Sequence, residues 1–237
     1  MNNYKGSSTG QISEGIELNN FALKIIEFVY QSLSVWCNDP DRPKEQAENK
    51  LNLQLCKFLD SQTRIEFSMI RFDHEEYQTG RYAVDLSASP AEHIIIKGKS
   101  YSIYEPLLVF EGKRLPAPRK DREQEYITGG DKKTGGIQRF KLGLHGGELK
   151  LVAMIGYLQD NTLGHWHSKI NEWILELSKG ESSDGLGWSE DEVLHYLVDE
   201  SIDTAKHRSE HNRIKENEID KIIIYHLWVV MNNQIDN

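Results

Sequence analysis

Leu107-Leu108-Val109-Phe110-Glu111-Gly112-Lys113-Arg114-Leu115 runs four apolar residues straight into an acid, a glycine and a lysine. The apolar run predicts a strand buried on both faces. Residues two apart in an extended chain point to the same side, so Glu111 and Lys113 share a face. A carboxylate and an ammonium at the edge of a core cost desolvation. Such a pair is kept as a satisfied ion pair or because it does chemistry, and chemistry requires a second acid. Asp85 supplies one, near the end of the apolar-rich stretch Arg81-Tyr82-Ala83-Val84-Asp85-Leu86.

An acid ending one strand, followed by Glu-x-Lys on a later strand, resembles the PD-(D/E)XK nuclease superfamily. The resemblance spans roughly residues 43 to 178, and Val84 stands where the family often has proline. It implies an α/β fold with a restriction-endonuclease-like αβββαβ core, a mixed central sheet flanked by helices. It also implies a metal-dependent endonuclease that hydrolyses phosphodiester bonds, with DNA the expected polymer. Asp85, Glu111 and the Gly112 carbonyl would hold Mg²⁺ or Mn²⁺, with Lys113 orienting water or stabilising the pentavalent phosphate. Many members carry a glutamate on the helix before the first core strand, and Glu48 matches it. A glutamine or basic residue often comes from the helix after the Glu-x-Lys strand, which points to Gln138, Arg139 and Lys141. Position 142 is leucine, so the Gln-x-x-x-Tyr motif of exonuclease-type members is missing. The family setting is restriction or anti-phage defence, with an ATPase or sensor subunit, or a second copy of the chain, as partner. The family also contains inactive members that serve as structural or nucleic-acid-binding subunits, which is the alternative reading.

The elements that would position these residues follow from periodicity. Helices are predicted over 16–36 and 43–59, the second carrying Glu48 one turn before Leu51. Strands follow at 65–72 and 82–86, with a polar turn at 73–80 between them and another at Ser89-Pro90. A hairpin closes around Lys97-Gly98-Lys99, and 107–115 is the central strand. A short helix at 137–144, a buried strand at 149–159 and a helix at 166–177 complete the core order. Residues 43–180 form the nuclease core, 1–42 a polar tail and a packing helix, and 181–237 an extension. In the extension, 190–200 is predicted as a helix, 205–214 as strand or loop, and 221–231 as an apolar final strand.

The long segment between Leu115 and Ile137 joins prolines, glycines and basic residues, the composition of either a mobile basic lid over a phosphate backbone or an ordinary floppy surface loop. Arg114 just before it, Arg119, Lys120, Lys132 and Lys133 within it, and Arg139 and Lys141 beyond it are candidate phosphate contacts. Residues 97–150 hold 12 Lys/Arg against 7 Asp/Glu in a chain of net charge −9. A net acidic protein does not coat nucleic acid through bulk charge, but a local basic groove suits a polyanion.

The hydrophobic fraction is 38% and the charged fraction 27%, as in a soluble globular protein. No apolar run is long enough for a membrane helix, and Met1–Gly10 lacks the apolar stretch of a signal peptide. Cys37 and Cys56 read as small buried hydrophobes in a reducing, cytoplasmic compartment. His165-x-His167 and His207-x-x-x-His211 are close pairs outside any zinc motif. The second pair, with Arg208 and Arg213, is a candidate contact for nucleic acid or a subunit. No nucleophile elbow, P-loop or dinucleotide fingerprint occurs.

Overall fold

The computed structural model describes residues 10–11, 18–77, 82–180, 184–197, 202–214 and 219–231. In chain order the elements are β1 (Gly10–Gln11), α1 (Leu18–Cys37), α2 (Glu48–Glu66), β2 (Ile70–Tyr77), β3 (Ala83–Pro90), β4 (Ile94–Ile96) and β5 (Lys99–Tyr101). They continue with β6 (Leu108–Leu115), α3 (Gly136–Lys141), β7 (Leu151–Leu158), α4 (Leu163–Lys179), β8 (His195–Tyr196), β9 (Thr204–Asn212) and β10 (Lys221–Val230). Seven strands form one mixed sheet in the order β2-β3-β6-β7-β10-β9-β8. The β6–β7 and β7–β10 pairs are parallel, and the others antiparallel. The fold is therefore α/β, a mixed sheet flanked by helices. No helix among the described residues is long and apolar enough to cross a membrane.

Helices cover both faces of the sheet. On one side Phe21, Ile25, Val29, Leu33 and Trp36 of α1 and Leu51, Leu55 and Leu59 of α2 pack on Phe110, Ala153, Tyr157 and Leu227. On the other, Ile137 and Phe140 of α3 and Trp166, Ile170 and Trp173 of α4 pack on Val109, Val152, Met154 and Trp228. All eight residues of β7 are buried, because it has parallel neighbours on both edges and helices on both faces. The five tryptophans are all buried.

Several expected boundaries move. Pro43 does not open α2, which starts at Glu48 and runs to Glu66. Ile65, expected on a strand, ends that helix 79% exposed. The strand begins at Ile70 and takes in Asp73–Tyr77, which reads as a turn because β2 is an edge strand whose outer residues are polar. Pro90 ends β3 opposite Ile70, a strand-end position that tolerates the missing N–H. The segment 107–115 lies third of seven strands, one place from the centre. The expected helix at 190–200 is a single 3₁₀ turn, Glu190–Glu192, capped by Ser189, followed by β8. Residues 198–200 of that expectation lie outside the described residues, as does most of the polar N-terminal tail. Gly10–Gln11, within that tail, pairs in parallel with β4. The C-terminal segment supplies β8, β9 and β10, so β10 lies inside the main sheet beside β7.

Candidate active site

Antiparallel pairing sets Leu86 of β3 opposite Phe110 of β6, and the ladder ends there. The next residues along are Asp85 and Glu111. Beyond the ladder the Gly112 N–H needs a new acceptor, and the Asp85 Oδ2 accepts it at 2.8 Å. Gly112 has a steric reason to lack a side chain. A Cβ there would lie 1.9 Å from Asn52 Oδ1, one turn along α2 from Glu48. Asn52 is itself fixed by the Tyr157 hydroxyl, which donates to its Oδ1 at 2.8 Å.

Glu111 is fully buried. Lys113 Nζ lies 3.7 Å and Arg139 Nη1 3.3 Å from its Oε2. His145 Nδ1 lies against its Oε1, yet neither atom is aligned for a hydrogen bond. Lys113 Nζ donates to Glu48 Oε1 at 3.0 Å, and the Arg114 N–H donates to Glu48 Oε2 at 3.2 Å. Glu48 thus ties the first turn of α2 to β6, at the end where the helix dipole favours a carboxylate.

The two acids diverge electrostatically. Burial, and then the charge of Glu111, raise the Asp85 carboxyl to about 7. Burial would also raise Glu111, but His145, Lys113 and Arg139 outweigh it and hold the carboxyl at about 2. Burial opposes the Lys113 charge, while Glu48, Glu111 and Asp85 overcome it and push the amine above its ordinary range. Lys113 is therefore an ammonium at any working pH. Carboxyls whose surroundings drive their ionisation apart are a pattern of acid/base and metal sites.

Asp85, Glu111, Gly112, Lys113, Glu48 and Arg139 come together, with Arg114 reaching them through its backbone. Gln138 does not join them. Its Oε1 accepts from the N–H groups of Gly129 and Gly135 at 3.0 and 3.2 Å. Its Nε2 donates to Gly130 O and Asp184 Oδ2 at 2.8 and 3.2 Å, so it clasps the glycine loop rather than positioning a water. Lys141 is also not a phosphate contact. It is buried, donating to Glu192 Oε1 at 2.6 Å and Gly187 O at 3.1 Å. Arg119, Lys120, Lys132 and Lys133 are exposed. Arg119 pairs with Asp121, and the loop lines a cavity of about 690 Å³ that includes Lys120 and Lys132.

The candidate contact around His207 is internal. His207 and His211 are buried, and Arg213 donates to the carbonyls of Phe140, Gly147 and Gly146. His145 is a cluster member that sequence reasoning missed. It stands alone, outside any histidine pair, and only its place after α3 brings it over β6.

Comparison with protein-family models, with curated proteins and with solved structures finds no match to this chain. Its chemistry rests on its own residues. Among the described residues no group of three or more His, Cys, Asp or Glu is arranged to hold a metal ion. Asp85 and Glu111 follow one another at the end of the β3–β6 ladder, and the Gly112 N–H donates to Asp85.

Proposed function

We propose that the chain is a metal-dependent nuclease of the PD-(D/E)XK kind, hydrolysing phosphodiester bonds of nucleic acid, with DNA as the expected polymer. One observation carries the reading: Asp85 and Glu111 end up within each other's field, with Lys113 held between Glu111 and Glu48. The order α2, β2, β3, β6, α3, β7 supports it as well, since it follows the family's αβββαβ core.

The donor set suits a small hard cation. Magnesium is commonly bound by one or two carboxylates, with waters and phosphate oxygens completing the shell, so a third acidic side chain is not needed. Asp85 and Glu111, with the Gly112 carbonyl, would hold Mg²⁺ or Mn²⁺. Burial and the charge of Glu111 raise Asp85, and a cation there would relieve the second of these. When bound, such an ion supplies charge neutralisation at phosphorus and an activated water. Lys113, as a permanent ammonium, contributes charge and a hydrogen-bond donor toward the phosphoryl oxygens and does not serve as a base. Glu48 positions it. Arg139 orients Glu111 from the opposite side. Restriction or anti-phage defence is the setting this resemblance carries, with an ATPase, a sensor subunit or a second copy as partner.

The second reading is an inactive subunit of the same fold. It is favoured by the burial of Glu111 and by the cationic groups facing both its oxygens. A cleavage assay on plasmid, single-stranded DNA and RNA with Mg²⁺ or Mn²⁺ separates the two. The nuclease reading expects cleavage that chelation abolishes and that Glu111→Gln and Lys113→Met both lose. Cleavage surviving in both variants removes these residues from the chemistry.

A further inference from the structure

A second cavity, of about 380 Å³, opens beside the proposed centre and is lined by Tyr77, Tyr101, Tyr104, Glu76, Glu105 and Glu148, among others. Two links join it to the acids. Its Gly146 follows His145, the ring against Glu111, and sits so close over β6 that a Cβ would meet Val109 Cγ2 at 3.0 Å. Val109 is two residues from Glu111 and shares its face. On the other side Glu76 accepts a hydrogen bond from Ser87 Oγ, two residues along β3 from Asp85.

The lining is chemically specific. Tyr77 is 73% and Tyr104 80% exposed, two large rings that contribute little to either core cluster. Tyr101 forms a buried wall with Lys99 Nζ 4.9 Å from its ring centre. The remaining charged side chains on the cavity wall are carboxylates. The Ser102 backbone N–H donates to Glu105 at 2.7 Å and holds it below its ordinary range. A wall rich in carboxylates repels phosphate. Exposed tyrosine rings offer stacking faces, and carboxylates accept hydrogen bonds from amino groups. The group that meets both demands is a nucleobase with an exocyclic amine. Inside a duplex, bases stack on each other and their faces are covered, so only an unpaired base can enter.

We propose that this tyrosine and glutamate cavity binds an unpaired, amino-bearing nucleobase of a single-stranded or locally melted nucleic acid. The proposal rests on the nuclease reading for its orientation, with bases in the cavity and the backbone across Asp85 and Glu111. Its test is independent of cleavage.

The test is fluorescence anisotropy of the full chain in chelator with labelled 20-mers of dA, dC, dT and rA and with a 20-base-pair duplex. Single strands bind at least about tenfold more tightly than the duplex, and dA and dC more tightly than dT. One lost stacking ring weakens binding by about 5- to 100-fold. Tyr77→Ala and Tyr104→Ala each show such a loss, while Tyr77→Phe and Tyr104→Phe keep most of the affinity. Both rings face solvent, so unchanged melting temperatures confirm that the variants fold. Duplex binding as tight as single-strand binding, or alanine variants that bind like the parent, overturns the proposal. Single-strand binding without cleavage upholds the cavity and sinks the nuclease reading. Duplex cleavage without single-strand preference does the opposite.

Discussion

Two regions of this molecule bury polar side chains, and they solve the problem differently. Between β9 and β10 Tyr126, Trp228, His226 and Ser209 hydrogen-bond to one another, while both His207 ring nitrogens are buried without a hydrogen bond. The Tyr126 hydroxyl and His226 Nδ1 lie 2.8 Å apart, and Trp228 Nε1 donates to the same hydroxyl at 2.9 Å. Ser209 Oγ lies 2.7 Å from both His211 Nε2 and His226 Nε2. Lys141 and Glu192 form one buried pair of opposite charges. Burial drives His226 well below its ordinary range and His207 down to about 3, so these rings are neutral. At the β3–β6 edge, by contrast, two acids sit in each other's field and one of them is pushed up to about 7. The first region meets burial by keeping its rings neutral, whereas the second keeps Glu111 charged among cations beside a raised Asp85. That marks a site more sharply than burial does.

The comparison breaks most visibly in activity. Glu111→Gln and Lys113→Met lower cleavage by at least about a thousandfold, measured as initial rates on plasmid in Mg²⁺. The paired change Lys141→Met with Glu192→Leu leaves the rate per folded molecule unchanged. An equal loss from both regions would erase the distinction.

Stability reverses the ranking. Lys141→Met alone leaves the buried Glu192 with only the Asn212 N–H and His211 and costs ~3–5 kcal/mol in urea unfolding, and adding Glu192→Leu recovers part of it. Gly112→Ala forces a methyl onto Asn52 and costs ~1–3 kcal/mol. Asn52→Ala in the same chain returns part of that. A Gly112→Ala protein as stable as the parent would deny the close approach of α2 to β6.

The next effect concerns pH. The Asp85 carboxyl ionises near 3.8 in the unfolded chain and near 7 in the folded one. Between these values the folded state binds the extra proton, so this group's contribution to stability falls as pH rises from about 4 to about 7. Asp85→Asn removes that slope. It melts higher than the parent at pH 8 and gains little at pH 4, while losing cleavage. An unchanged slope in Asp85→Asn would mean that the proton resides elsewhere.

The sheet and its helices were largely legible, because Leu151–Leu158 and Lys221–Val230 are apolar enough to specify buried strands and α1 and α4 repeat apolar residues at helical spacing. The edge strand β2 was not, since one polar flank faces solvent and reads as a turn. Ile65 misled for the opposite reason, an apolar residue on an exposed helix end. In the site, strand alternation paired Glu111 with Lys113, Asp85 was picked out as an acid near a strand end, and Glu48 came from the family resemblance. The partners that arrive from distant chain were not legible as such. His145 meets Glu111 only because the chain after α3 folds back over β6, and Arg139, expected as a phosphate contact, pairs with Glu111 there as well. Gln138 and Lys141 on that helix turn to Asp184 and Glu192, contacts set by a segment more than forty residues further on.

The central claim is that Asp85 and Glu111 share one divalent cation. Melting temperatures at pH 8, with and without Mg²⁺, test it without relying on any substrate. The parent protein gains stability as Mg²⁺ is added, and Asp85→Asn and Glu111→Gln gain none. A Mg²⁺ shift of the same size in all three proteins, or no shift in the parent, would contradict the account.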